Sequence, residues 1–186
     1  MPCSGIGAAI ERTITPTAQI LADDGEQMRY RTGRNGRRCG PWASLHAALE
    51  AGVPCGGWCP AGCLAEDGVI EERYGLRPLP RGGYADLTRR NVADSDATLV
   101  LYFGCLEGGT ALTADYCRRR SKPLLRIDAL RASPEVAAAR ARDFILAYKI
   151  ETLNVAGPRA STIPAAHGYA RKTLSRLLEG FAQDVE

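Results

Sequence analysis

No stretch of the 186 residues approaches the ~20 consecutive apolar positions a helix needs to cross a bilayer, which excludes a membrane-spanning helix. Charge of one sign is lacking too. The 24 Lys and Arg stand against 21 Asp and Glu, a net +3, so the whole molecule does not carry the field by which nucleic-acid binders hold phosphates. Local basic clusters occur at Arg31, Arg34, Arg37 and Arg38 and at Arg118, Arg119, Arg120 and Lys122. The second falls in the last turn of an expected helix, where cations complement the dipole, and reads as a solvated face. The N-terminal residues lack the charged head, apolar core and cleavage site of a secretory signal. The expectation is therefore a cytoplasmic protein whose seven cysteines are reduced thiols. The C-x-x-C spacing of structural zinc sites is also missing. Cys55, Cys59 and Cys63 recur every four residues, but Gly56-Gly57 and Pro60-Ala61-Gly62 break any helix that would align them, and no fourth Cys or His is near. Thiols filling a turn are expected there, with no metal. No internal repeat or low-complexity tract is present, and the length suits one domain that removes roughly 70% of its unfolded surface from water.

What is present is an alternation of helix-like and strand-like segments from Trp42 onward, the pattern of a parallel α/β sheet with helices on both faces. Ala43 to Ala51 reads as a helix ended by Gly52, and Val53-Pro54-Cys55 as a short extended piece. Gly56-Gly57-Trp58-Cys59-Pro60 reads as a loop, the start of a stretch of about residues 56 to 83 poor in regular structure, with a proline-bounded extended run from Tyr74 to Pro80. Tyr84 to Val92 has helical spacing. Ala97 to Phe103 is apolar almost throughout, as a central strand covered on both faces requires. Further expected elements are a helix to Arg120, a strand from Lys122 to Ile127, an Ala-rich helix Pro134 to Tyr148, a strand Thr152 to Ala156 and a last helix Pro164 to Phe181.

Ligands of such sheets sit outside the carboxyl ends of the strands. Three of those ends carry glycine-rich or polar signals: Gly104 to Thr113, Asp128, and Asn154 to Ser161. The first is the strongest. Gly108-Gly109-Thr110-Ala111-Leu112-Thr113 links a strand to a helix start, where two glycines let backbone amides approach a phosphate and the helix dipole favours its charge. Thr110 and Thr113 add hydroxyls. The alternative is a tight turn with Thr110 as N-cap. Arg159 stands beside another helix start, as a fork for an anion or as a surface ion pair.

Five motifs arrive in one order: Gly56-Gly57-Trp58-Cys59-Pro60, Ala65-Glu66-Asp67-Gly68, Asn91-Val92-Ala93-Asp94-Ser95-Asp96-Ala97-Thr98-Leu99, Gly108 to Thr113, and Asn154-Val155-Ala156-Gly157-Pro158-Arg159. Together, over about residues 43 to 180, they resemble the molybdenum-carrier family, a circularly permuted branch of the YpsA-like, SLOG-type Rossmannoid proteins. That branch is related to the lysine-decarboxylase-like phosphoribohydrolases. The resemblance implies a Rossmann-like single domain over residues 41–184 and a pocket for a nucleotide or a pterin phosphate. It also implies frequent homodimers or homotetramers. The family name implies the molybdenum cofactor (molybdopterin) as cargo, with an unknown nucleotide as the other ligand. Carried over position by position, the ligand-binding residues are Gly56, Gly57, Trp58, Asp67, Asn91, Ser95, Asp96, Gly108, Gly109, Thr110, Thr113 and Arg159, with Trp58 stacking on the ring system.

Two departures from the family pattern bear on function. The related phosphoribohydrolases end this motif as Gly-Thr-x-x-Glu, whereas here Thr113 occupies the Glu position. A hydroxyl cannot serve as acid or base near neutral pH, which favours binding over hydrolysis. A phosphoribohydrolase-like enzyme and a nucleotide-sensing subunit remain the alternatives. Secondly, family members precede the first helix with Ser-Gly-Gly-Gln-Thr-Gly-x-Asp-Arg, where this chain has Arg34-Asn35-Gly36-Arg37-Arg38-Cys39-Gly40-Pro41-Trp42. Either the segment has diverged, with Arg37 and Arg38 offering cationic contacts, or the reading frame has moved. Asn-Gly-Arg-Arg in GC-rich codons reads Thr-Gly-Val-Asp one nucleotide away. Residues 1–40 are accordingly set apart as a divergent or poorly ordered segment, and no order is assigned to Met1 to Gly33.

Overall fold

The computed structural model describes residues 19–23, 42–65, 68–69 and 71–182. In chain order these form β1 (Gln19–Asp23), α1 (Trp42–Glu50), β2 (Cys55–Cys59), β3 (Leu64–Ala65) and β4 (Gly68–Val69). After a 3-10 turn at Glu72–Tyr74 come β5 (Leu76–Pro78), α2 (Tyr84–Asp94), β6 (Ala97–Tyr102), α3 (Gly108–Arg119), β7 (Leu124–Asp128), α4 (Pro134–Tyr148), β8 (Thr152–Ala156) and α5 (Ala165–Ala182). Six strands make one sheet in the order β5-β2-β1-β8-β6-β7, parallel at every pairing. β3 and β4 pair antiparallel beside it. α1 and α4 both pack on α5, and α2 packs on α3, so the sheet is covered on both faces as a Rossmann-like domain requires. Among the described residues no helix is long and apolar enough to cross a membrane.

The two faces of the sheet differ in chemistry. Leu99, Leu101, Ile127, Leu153 and Val155 join Ala47 and Ala48 of α1, Ala137, Ala138 and Ala141 of α4 and Leu174 and Leu177 of α5 in one apolar cluster. The alternate strand positions Thr98 and Asn154 are fully buried and polar, as are Thr88 and Asn91 of α2 and Thr113 of α3. Asn154 Nδ2 donates to Thr98 Oγ1 at 3.3 Å, a pair that spares two buried groups most of their desolvation cost.

Local signals set the helix bounds well. Ser133 caps α4 by accepting from Val136 N at 3.4 Å, Pro134 opens the first turn, and Lys149 closes the helix with φ 52°. Gly52, with φ 68°, ends α1 as expected. β6 is an interior strand, paired with β7 and β8. Of the second basic cluster, Arg118 and Arg119 pair with Asp115 on the surface. Lys122 does more: its Nζ donates to Ala93 O at 2.6 Å and to Ser95 O, closing the C-terminus of α2.

Three expectations need correction. Gly56 to Cys59 is not a loop but part of β2, because β1 and β5 flank it and supply backbone partners that local propensity does not reveal. Gly57 takes φ 134° there, a conformation that side-chained residues resist. The region 56–83 therefore contains four strands. Cys59 and Cys63 are not reduced thiols but a disulfide, since the intervening turn, with positive φ at Gly62 and Cys63, brings their Cα atoms to 5.2 Å. The Arg31 to Arg38 cluster and the Arg34 to Pro41 segment lie outside the described residues.

Candidate functional site

Topology alone singles out one crevice. From β1 the chain passes through α1 to β2 on one side, whereas from β6 it passes through α3 to β7 on the other, with β8 between β1 and β6. Ligands of open parallel sheets bind at such a reversal, outside the carboxyl ends of the strands.

The β6 end leads through Phe103 to Glu107 into α3. Glu107 is the N-cap in extended conformation and makes no side-chain cap, while Gly108 takes φ 55°. The Glu107 side chain therefore does not take the amides of Gly109 and Thr110, residues that are both buried in the first turn. Thr113, one turn further, is fully buried and its hydroxyl donates to Gly109 O at 2.9 Å. That proton is committed inside the helix.

Asp128, at the end of β7, fastens the loop beneath this turn. Its Oδ1 accepts from Gly104 N at 2.9 Å and Leu130 N at 3.0 Å, and Arg131 lies 3.5 Å from Oδ2. The Gly104 and Leu130 amides, and then the Arg131 charge, hold its carboxyl below the usual aspartate range. Its contribution to stability is thus present above the unfolded-state value, about 3.9, and lost as pH falls through the lowered one. In thermal melts against pH, Asp128→Asn is expected to melt below wild type near neutrality and to converge with it in strong acid. A constant gap would show that the charge is not what matters.

Arg159 follows β8 and is only 9% exposed. Its guanidinium carbon lies 5.3 Å from the ring centroid of Tyr84, the first residue of α2, and Thr162 N and Ile163 N donate to its carbonyl. Gly157 permits the loop's close approach, since a Cβ there would sit 3.3 Å from Leu101 O. Phe103, Pro158, Ala43, Ser44, Ala166 and Ala170 line a small cleft beside this loop.

Gly108, Gly109, Thr110 and Arg159 thus share the carboxyl end of the sheet. Other expected site residues stand elsewhere. Ser95 and Asp96 lie before β6, at the amino end. Ser95 Oγ donates to Val92 O at 3.2 Å, and Asp96 Oδ2 accepts from Glu151 N at 3.0 Å and Thr152 N at 2.7 Å, tying β6 to β8. Asn91 is fully buried, with Oδ1 accepting from Trp58 N at 3.0 Å. Gly56 and Gly57 are buried strand residues. The Trp58 ring carries Arg77 at 4.6 Å and Arg90 at 4.4 Å from its centroid, and its indole N–H donates to Asp94 at 2.8 Å. Asp67 lies outside the described residues. Tyr84 is a residue the sequence reading missed. The signal was there, since Gly82-Gly83 precedes α2 much as Gly108-Gly109 opens α3. Among the described residues, no group of three or more His, Cys, Asp or Glu could hold a metal ion.

The model of the circularly permutated YpsA SLOG family matches residues 36–178. The chain is similar to the crystal structure of a "putative molybdenum carrier protein" from Syntrophus aciditrophicus SB. The two are 35% identical with a TM-score of 0.75, over 88% of this chain and 96% of that one. No curated protein matches it.

Proposed function

The chain belongs to the circularly permuted YpsA SLOG family, and from that premise we propose that it binds a phosphate-bearing small molecule without turning it over, the molybdenum cofactor being the cargo. The observation that carries this reading is the first turn of α3: two glycines, an N-cap without a side-chain cap and buried residues at a strand end. Such a turn receives an anion at little reorganisation cost, because its donors are already fixed and its dipole has the right sign. Arg159 supplies a cation whose orientation is set by Tyr84, and a buried guanidinium forks onto phosphate oxygens.

Binding without turnover agrees with Thr113. Its hydroxyl is buried against Gly109 O, and it stands where the hydrolases that the sequence resembles carry a carboxylate. A carrier needs to shield its cargo, and no acid–base group is required for that. Trp58, Asn91, Ser95 and Asp96 have a framing role in this reading. The protein is proposed to act in the cytoplasm as a homo-oligomer.

Native mass spectrometry of freshly purified protein, with released small molecules identified after denaturation, tests the proposal. A pterin-phosphate mass near one per chain is expected. A nucleotide in its place would move the reading to a nucleotide-sensing subunit. Protein that is empty and takes up neither molybdopterin nor AMP would overturn it.

A further inference from the structure

The disulfide between Cys59 and Cys63 joins a firmly held residue to a loosely held one. Cys59 is the last residue of β2 and 1% exposed. It stands opposite Pro78 of β5, and its carbonyl accepts from Leu79 N at 2.9 Å. Cys63 is half-buried and sits in a turn, its N–H donating to Pro60 O at 2.9 Å. It takes φ 47°, a left-handed conformation that a side chain disfavours. β3 and β4 follow at once and pair with each other, and neither pairs with a strand of the main sheet. The disulfide is thus a second covalent tie, beside the backbone, between this hairpin and the carboxyl end of β2.

As a structural staple such a bond does little. It joins residues four positions apart, and the stabilisation gained by closing a loop grows with the length of that loop. The remaining thiols point away from a permanent framework too. Cys55, Cys105 and Cys117 are free, and Cys105 is exposed, whereas chains that keep permanent disulfides pair their cysteines throughout. A short-range disulfide among free thiols is one that forms and opens. Cys55 is not its exchange partner. Four residues along a strand set it about 13 Å from Cys59, its Sγ donates to Tyr74 O at 3.8 Å, and burial pushes its thiol up, away from the reactive thiolate.

We propose that Cys59 and Cys63 form a reversible exchange site for small thiols and disulfides of the glutathione class, which latches the β3–β4 hairpin when oxidised and frees it when reduced. In the reducing direction a glutathione thiolate attacks Sγ of Cys63, the more exposed of the pair. The S–S bond breaks, its electron pair leaves on Sγ of Cys59, and that sulfur takes up a proton. A second glutathione thiolate then attacks the glutathione sulfur of the mixed disulfide. Cys63 leaves as thiolate and is protonated, and glutathione disulfide is released, so two glutathiones have supplied two electrons. Oxidation is the reverse, with glutathione disulfide as the oxidant. The 5.2 Å between the two Cα atoms lets Cys59 displace glutathione from Cys63 within the chain, which keeps the mixed disulfide short-lived. Once the bond is open, Cys63 is no longer tied in its left-handed conformation and the turn relaxes. β2 ends at the carboxyl end of the sheet, so this movement falls on the side of the strand-end crevice, although the inference does not rest on the ligand reading.

Equilibrating the full chain in mixtures of reduced and oxidised glutathione, then quenching by alkylation and mapping the cysteines by mass spectrometry, tests the site. Without denaturant, Cys59 and Cys63 are expected to become alkylated together, in one transition, as the reduced share rises. Amide hydrogen exchange over Cys63 to Ala65 is expected to quicken about tenfold or more across the same transition. Cys63→Ser is expected to exchange at the fast rate in both buffers, which separates this pair from Cys3 and Cys39, outside the described residues. A pair that stays bonded in excess reduced glutathione is a fixed staple, and one that stays as two thiols in excess glutathione disulfide is no switch. Either result, or a bond that opens without changing the exchange, would overturn the proposal.

Discussion

Glu107→Asp is expected to make the protein more stable and its ligand weaker at the same time. Glu107 is the N-cap of α3 and makes no cap with its side chain. Aspartate, one methylene shorter, has the reach to accept from the amides of Gly109 and Thr110, and a good N-cap contributes about 1 kcal/mol. Those are the donors assigned to the phosphate. A carboxylate bound to them both occupies the seat and repels the anion, so affinity for AMP or molybdopterin is expected to fall at least about tenfold. Net charge is unchanged, which removes long-range electrostatics as the cause. Glu107→Ala, which provides no cap, is expected to retain the affinity. Thermal melts and calorimetric titration read the two effects separately. If the melting temperature rises while affinity holds, the phosphate sits elsewhere.

Asp96→Ala separates frame from pocket. Asp96 accepts from two consecutive backbone amides, Glu151 N and Thr152 N, at the amino end of the sheet. Truncation leaves both donors at the start of β8 without their charged acceptor, and hydrogen bonds to a charged group are each worth about 1.5–3 kcal/mol when shielded from water. Asp96 is exposed, so a total loss of about 1–3 kcal/mol in chemical denaturation is expected. Ligand affinity measured well below the melting temperature is expected to stay at the wild-type value. An affinity loss without a stability loss would instead put Asp96 in contact with the ligand.

These two residues show how sequence and structure divided the problem. The strand–glycine–helix junction at Gly108 to Thr113 was legible because everything it needs is local: a strand end, two glycines and a helix start within a few residues. Asp96 looked equally informative, sitting in a motif of the resemblance beside Ser95 and Asn91. Its side chain, however, meets residues more than fifty positions away, and no local pattern announces such a partner. Trp58 repeats the lesson. The sequence offers an aromatic ring for stacking, and the fold supplies Arg77 and Arg90 to stack on it.

By itself the sequence determined the class of fold, most helix bounds and the glycine-opened start of α3 at the end of β6. Hydrophobic period, glycine and proline punctuation and N-caps act over three or four residues and are written in the chain. Only the tertiary structure decided that Gly56 to Cys59 is a strand, that Cys59 and Cys63 are joined, and that Arg159 rests on Tyr84. It also placed Ser95 and Asp96 at the far end of the sheet from Gly109. Each of these depends on which distant segment becomes a neighbour. That is set by the strand order β5-β2-β1-β8-β6-β7 and the helix layers over it, through burial and pairing energies summed across the whole domain.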